Sequence, residues 1–225
     1  TQSRSSAASD VYKRQLFTGD ILNGTGEADL LTGGATDDIL DGGYGNDTLV
    51  GGDGNDTFLD AEGQNILDGG AGDDIFDLSL PDAVAVAIGG SGSDTYLVRV
   101  PALDGPVQGS AGTSTITDFT AGAGGDVITF RPSRNWSGYF EVIDFQRILF
   151  AQQGADVVIF FRTESSALVE LLRLADVDGS LLTLDNFTEL DNRPTILAQP
   201  LDLTGTEGDD ELVGGVLNDT IQGLG

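Results

Sequence analysis

Aspartates recur every nine residues along the first third of the chain, at Asp20, Asp29, Asp38, Asp47 and Asp56, with Asn65 in the next place and Asp74 after it. Glycines stand ahead of them at fixed offsets: Gly42, Gly43 and Gly45 before Asp47, Gly51, Gly52 and Gly54 before Asp56, and Gly69, Gly70 and Gly72 before Asp74. Gly89, Gly90 and Gly92 repeat the pattern before Asp94, and Gly33 opens a copy before Asp38 in which Thr36 replaces the last glycine. A carboxylate at a constant interval supplies an anionic oxygen, and glycines free to take positive φ let a tight loop turn its carbonyls toward one point. Oxygen donors grouped in this way suit hard cations such as Ca²⁺ and Mg²⁺.

The composition removes most other chemistry. The chain has no His, Cys or Met, which excludes imidazole bases, thiol nucleophiles and the usual ligands of zinc, copper and iron–sulfur centres. Asp and Glu outnumber Lys and Arg by 37 to 10, for a net charge of −27, so the field repels nucleic acid and anionic membranes and favours cations as partners. No apolar run approaches the roughly 18 residues of a membrane span. Nothing singles out one pair of carboxylates for glycoside hydrolysis, and without His neither a zinc-protease site nor a serine triad can be assembled. No catalytic residue and no enzyme activity are expected of these residues.

The elements that must position the aspartates follow from the spacing. Each aspartate lies at position six of a unit G-G-x-G-x-D-x-U-x, where U is large and apolar. Residues 42–50 (GGYGNDTLV), 51–59 (GGDGNDTFL), 69–77 (GGAGDDIFD) and 89–97 (GGSGSDTYL) match it in full. Units 15–23, 24–32 and 33–41 keep part of it, and 60–68 is degenerate. Positions seven to nine favour extended structure and send their middle residue to one face, so each unit predicts a turn and a short strand. Aspartates that only capped turns would not demand glycine at three fixed positions. Residues 16–97 hold seventeen acidic residues and no Lys or Arg. Two carboxylates stacked about 5 Å apart repel by roughly 3 kcal/mol at an effective dielectric of about 20, so without a cation this stretch is expected to be unfolded.

The unit resembles the nonapeptide of the repeats-in-toxin (RTX) family, bacterial proteins exported by type I secretion. The resemblance implies a right-handed parallel β-roll in which two repeats make one turn of eighteen residues and repeats n and n+2 stack. It also implies bound Ca²⁺, held by the pairs Asp20/Asp38, Asp29/Asp47, Asp38/Asp56 and Asp56/Asp74 together with glycine-loop carbonyls. Asp47/Asn65 is then a weaker position, having lost one charge, and Asp94 still stacks on Asp74 if a small insertion lies within 78–88. Family likeness further implies a secreted, extracellular protein that folds when it meets calcium, with the type I secretion machinery as a partner. A carbohydrate-binding or adhesive module, as in the roll modules of alginate epimerases, is the alternative, but the repeats offer no basic stripe to a polyanion.

Residues 98–195 lose the repeat and carry seven arginines. Apolar stretches at 115–119, 126–130, 140–145, 147–151, 157–161, 168–174 and 181–184 predict a β-rich, mainly antiparallel region continuing or capping the roll. Its runs ITDF, GDVI, GADVVI and LTLDNF resemble the serralysin-like region that follows RTX repeats in type I secretion substrates. The opening DVDG at 176–179 is read as a polar turn, since an EF-hand loop started there would put Phe187 where a bidentate glutamate belongs. Trp136 is read as a loop anchor packed on the sheet. Within 196–225 the register restarts at 205–213 (GTEGDDELV) and 214–222 (GGVLNDTIQ), adding Asp210 and Asp219 as candidate ligands; the chain stops in mid-repeat, which predicts a second, truncated roll in a longer parent. Residues 1–15 contain the single lysine, resemble translated adapter sequence and are expected to be a non-native or disordered leader.

Overall fold

In a computed structural model the described residues are 11–12, 19–59, 62–79, 83–101, 113–132, 143, 147–164, 168–189, 202–204 and 220–222. Among the described residues each nonapeptide between 24 and 97 contributes one strand and one turn, and successive strands alternate between two sheets. One sheet contains β2 (Ile21–Thr25), β4 (Ile39–Gly43), β6 (Thr57–Leu59), β8 (Ile75–Leu78), β10 (Thr95–Val100), β12 (Val127–Pro132) and β16 (Phe187–Glu189), in that spatial order. The other begins with β1 (Val11–Tyr12), β3 (Leu30–Gly34), β5 (Thr48–Asp53), β7 (Gly63–Ala71), β9 (Ala83–Ser91) and β11 (Ser114–Ile116). It continues through β15 (Leu168–Leu174), β14 (Asp156–Arg162), β13 (Ile148–Gln153), β17 (Asp202–Thr204) and β18 (Thr220–Gln222).

All described pairs of the repeat region are parallel, and their register realises the eighteen-residue coil: Ile21 lies beside Ile39, Ile39 beside Thr57 and Thr57 beside Ile75, while Leu30 lies beside Thr48 and Thr48 beside Ile66. The next coil is longer, with Ile75 beside Thr95 and Gly63 beside Ala83, which accommodates the insertion expected in 78–88. The period brings every position-eight side chain inward, so Leu22, Leu31, Leu40, Leu49, Phe58, Leu67, Phe76 and Tyr96 are all buried. Phe58 stacks on Phe76 at 4.7 Å between ring centroids and Phe76 on Tyr96 at 5.0 Å. One large side chain per nine residues is a thin core, and it does little to offset the entropy of ordering the glycine-rich turns.

Among the described residues, antiparallel pairing beyond the repeats is confined to the three-stranded meander β13–β14–β15, with a register shift at Ile159/Phe160. The other strands of this segment prolong the roll: β12 pairs parallel with β10, β11 with β9 and with β15, and β16 with β12. The physical reason is the open end of the roll, where β9 and β10 present parallel edges and an unfinished stack of side chains. Ile116, Ile128, Phe130, Phe187, Ile159 and Leu172 join the same hydrophobic cluster as the roll leucines. Strand β10 runs across residues 97 and 98, so the composition break falls inside a strand. The stretch 181–184 is not the strand its apolar residues suggested. It ends one short 3₁₀ turn, Gly179–Leu181, and begins another, Leu184–Asn186, and Asp178 caps the first through Ser180. Asp202 lies beside Thr220, again eighteen residues on, which places β17 and β18 one coil apart. Val11 and Tyr12, within the expected leader, pair with Leu30 and Leu31. Trp136 and all of 140–145 except Ile143 lie outside the described residues.

Candidate metal centre

The turns at the two edges of the roll stack into two rows of position-six residues. In the longer row the backbone N–H of each aspartate donates to Oδ1 of the next coil's aspartate: Asp20 to Asp38 at 2.6 Å, Asp38 to Asp56 and Asp56 to Asp74 at 2.7 Å, and Asp74 to Asp94 at 2.9 Å. In the shorter row Asp29 donates to Asp47 at 2.7 Å and Asp47 to Asn65 at 2.9 Å. Every pair that the family resemblance implies is thus brought together, including Asp74 with Asp94 across the longer coil.

In Asp38, Asp47, Asp56, Asp74 and Asp94 one carboxylate oxygen is committed to this ladder, which leaves the other free of it. Oδ2 of Asp47, Asp56 and Asp74 is buried without a hydrogen-bond partner, an arrangement that costs several kcal/mol for a charged group unless something neutralises it. The position-one glycines explain what surrounds these atoms. A Cβ on Gly51 would meet Asp56 Oδ2 and lie 2.7 Å from the Gly69 carbonyl oxygen; one on Gly69 would meet Asp74 Oδ2 and lie 2.5 Å from the Gly89 carbonyl oxygen. On Gly33 it would lie 2.6 Å from Asp38 Oδ2. A carboxylate oxygen and a carbonyl oxygen from the next coil therefore crowd one space that holds no hydrogen-bond donor, and this donor set fits a hard cation. In the units that match in full, the turn needs glycine at positions two and four, as Gly52 at φ 114° and Gly54 at φ 116° show. Gly43, Gly45, Gly70, Gly72, Gly90 and Gly92 repeat that conformation, and Gly42 contributes its carbonyl beside Gly24 as Gly69 does beside Gly51.

Burial sets the electrostatics. It pushes Asp56 up to about 6, Asp74 to about 7 and Asp94 to about 6, with neighbouring row carboxylates raising them further and the ladder N–H groups pulling the other way. Asp47 and Asp126 are also raised, chiefly by burial. Ion pairing goes to other carboxylates: Arg131 binds Asp77 at 2.6 Å, and Arg173 binds Asp156 at 3.1 Å and Glu170 at 3.0 Å. Among the described residues no three acidic side chains converge on one point, so a nonapeptide turn offers a carboxylate pair completed by backbone carbonyls and water.

The members are not equivalent. Asp29 Oδ2 accepts from the Thr25 N–H at 2.6 Å and its hydroxyl at 2.9 Å, so a threonine at position two already engages it. Asn65 keeps the ladder bond through Oδ1, while its Nδ2 donates to the Glu62 carbonyl at 3.3 Å. Asp210 and Asp219 lie outside the described residues. The DVDG stretch is a capped turn: Asp178 Oδ1 accepts from the Ser180 N–H and hydroxyl, which hold its pKa low.

Two features escaped the sequence reading. An outer ladder runs through position five, where Asn55 donates to Asp37 at 2.7 Å, Asp73 to Asn55 at 2.8 Å and Ser93 to Asp73 at 2.8 Å. Its signal was Asp or Asn at that position in successive units. The longer row also continues to Asp126, whose Oδ1 accepts from the Asp94 N–H at 2.9 Å. Asp126 is followed by Val127-Ile128-Thr129, the strand pattern of a repeat, but thirty-two residues separate it from Asp94 and conceal the register.

Fold and site together define a parallel β-roll whose oxygen-lined turns suit calcium. Segments 18–49, 41–76 and 203–225 match the family model of the RTX calcium-binding nonapeptide repeat, in four copies, and Ca²⁺ is the ion such repeats bind. No curated protein matches the chain. Among solved structures the chain is similar to the R3 subunit of the mannuronan C5-epimerase AlgE6 from Azotobacter vinelandii, at 20% identity and TM-score 0.33, covering 96% of this chain and 91% of that one. The R2 subunit of the same enzyme matches at 17% identity and TM-score 0.35 over 73% of this chain and 95% of that one. The extracellular lipase LipA of Serratia marcescens matches at 17% identity and TM-score 0.23 over 78% of this chain and 40% of that one.

Proposed function

We propose that this chain is a calcium-driven folding module of a secreted protein: a coil in low calcium that forms its roll where Ca²⁺ is abundant, after export through a type I secretion system. In this reading Asp20, Asp38, Asp56, Asp74 and Asp94 in one row, and Asp29 and Asp47 in the other, supply carboxylate oxygens, and glycine carbonyls complete each site. Asp210 and Asp219 begin a second set. Residues 16–97 are the roll, 98–195 its extension and cap, and 196–225 the start of the next block. The buried, unpartnered Oδ2 atoms of Asp47, Asp56 and Asp74 carry the reading, because a cation is the partner that satisfies several such oxygens at once. If four sites each sit at tenfold their dissociation constant, each contributes about 1.4 kcal/mol, roughly 6 together, which is comparable to the stability of a whole domain. The test is far-ultraviolet circular dichroism at neutral pH with chelator and then with calcium. A coil spectrum turning to β on calcium addition is expected; identical spectra would sink the proposal.

A further inference from the structure

The longer row outlasts the nonapeptides, and its last turn has a different lining. In the turns before it, the space beside the first glycine is shared by the unit's own aspartate and a glycine carbonyl of the next coil. At Gly89 the space is bounded instead by Asp94 Oδ2 and the Tyr96 hydroxyl, the latter 2.5 Å from where a Cβ would stand. Register explains the change: Ala87 pairs with Ile116 through the strands, so the next coil brings Asp118 to the place where a glycine stood in the coils before. Asp118 turns its carboxylate back to accept from the Gly89 N–H at 2.9 Å and the Gly90 N–H at 2.8 Å. Asp126 closes the turn from below, accepting from the Asp94 N–H through Oδ1 and from the Thr120 N–H at 2.8 Å through Oδ2.

Tyr96 is the independent observation. Its side chain is fully buried, yet its hydroxyl has no hydrogen-bond partner. Burial and then the negative charges of Asp126, Asp94, Asp118 and Asp74 hold its proton on more firmly, so the hydroxyl sits within the field of four carboxylates. Arg131 is engaged with Asp77 and Ser79.

We propose that Asp94, Asp118, Asp126 and the Tyr96 hydroxyl form a divalent-cation site of the Ca²⁺ class that terminates the longer row and lies outside the nonapeptide pattern. It rests on the reading of the repeats as calcium sites, and differs from them in recruiting carboxylates where they use a glycine carbonyl. Ca²⁺ takes six to eight oxygens and accepts waters among them, so carboxylates that do not converge on one point still act together through bound water. Asp118 is exposed and gives the ion a route in. A water molecule alone would satisfy the hydroxyl but would leave the acidic cluster uncompensated.

The experiment is calcium titration calorimetry of the full chain at neutral pH, comparing wild type with Asp118→Asn and Tyr96→Phe. Tyr96→Phe keeps the ring that stacks on Phe76 and removes only the hydroxyl. The expected result for Asp118→Asn is one site lost or weakened about tenfold or more, with the remaining sites and the calcium-induced β signal intact. Wild-type stoichiometry and affinity in Asp118→Asn would overturn the site while leaving the repeat sites standing. If Asp118→Asn does not reach the calcium-saturated β signal, Tyr96→Phe decides in the same terms. No calcium uptake by wild type would overturn the reading of the repeats, and this site with it.

Discussion

Protons should partly replace calcium. Asp56, Asp74 and Asp94 rise from 3.8 to about 6, 7 and 6 in the folded chain, chiefly because folding buries them. At 1.36 kcal/mol per unit, ionising them in the calcium-free roll costs about 3 kcal/mol each for Asp56 and Asp94 and about 4 kcal/mol for Asp74. Since the folded pKa values exceed the unfolded ones, the folded state binds more protons, and stability falls as pH rises between about 4 and about 7. The penalty is complete above the folded values, and its total, on the order of 10 kcal/mol, matches the stability of a whole domain. Lowering the pH from about 8 to about 5 in chelator should therefore raise the β signal of the apo chain. Neutralising the general negative charge acts in the same direction, so the decisive comparison is the triple variant Asp56→Asn, Asp74→Asn, Asp94→Asn, which should lose most of the acid response. An apo chain whose β signal is flat or falls on acidification, or a triple variant that responds like wild type, would refute the reasoning.

Asp56 belongs to two ladder steps and has a buried, unpartnered Oδ2, whereas Asp29 already receives two bonds from Thr25. Asp56→Ala should therefore weaken calcium-induced folding more than Asp29→Ala in calorimetric titration, and equal losses would contradict the stacking register. Gly69→Ala would drive a Cβ into Asp74 Oδ2 and the Gly89 carbonyl, while Gly34→Ala meets nothing within 4 Å. The first should raise the calcium midpoint of folding and cost upward of about 2 kcal/mol; the second should stay within about 0.5 kcal/mol in calcium-saturated denaturant melts. Comparable melts for the two would remove the argument that the glycines make room for oxygen donors.

The sequence was legible wherever the coil length was constant. A nine-residue period with apolar residues at position eight specifies the inward face, and the two-repeat coil that the family resemblance implies then specifies which aspartates stack, as the pairs from Asp20/Asp38 to Asp56/Asp74 show. Legibility failed where the coil lengthened. From Asp94 to Asp126 the step is thirty-two residues, and Ile128 finds Phe187 in the coil after that; no period announces either partner, and the open edges of β9 and β10 decide them instead. The apolar residues at 181–184 misled for a local reason, because that stretch ends one 3₁₀ turn, capped by Asp178, and begins another. Asp118 was hidden because it takes a glycine's place, and the template marks that place only by glycine.

Hydrogen exchange at the amides of residues 42–59, followed at about pH 8 in chelator and again in calcium, reads the central claim where the two rows and the core meet. The parallel ladders of β5 and β6 should exchange freely in chelator and become strongly protected once calcium is added. Strong protection of the same amides in chelator would mean that the roll holds itself together without the ion, and would contradict calcium-driven folding.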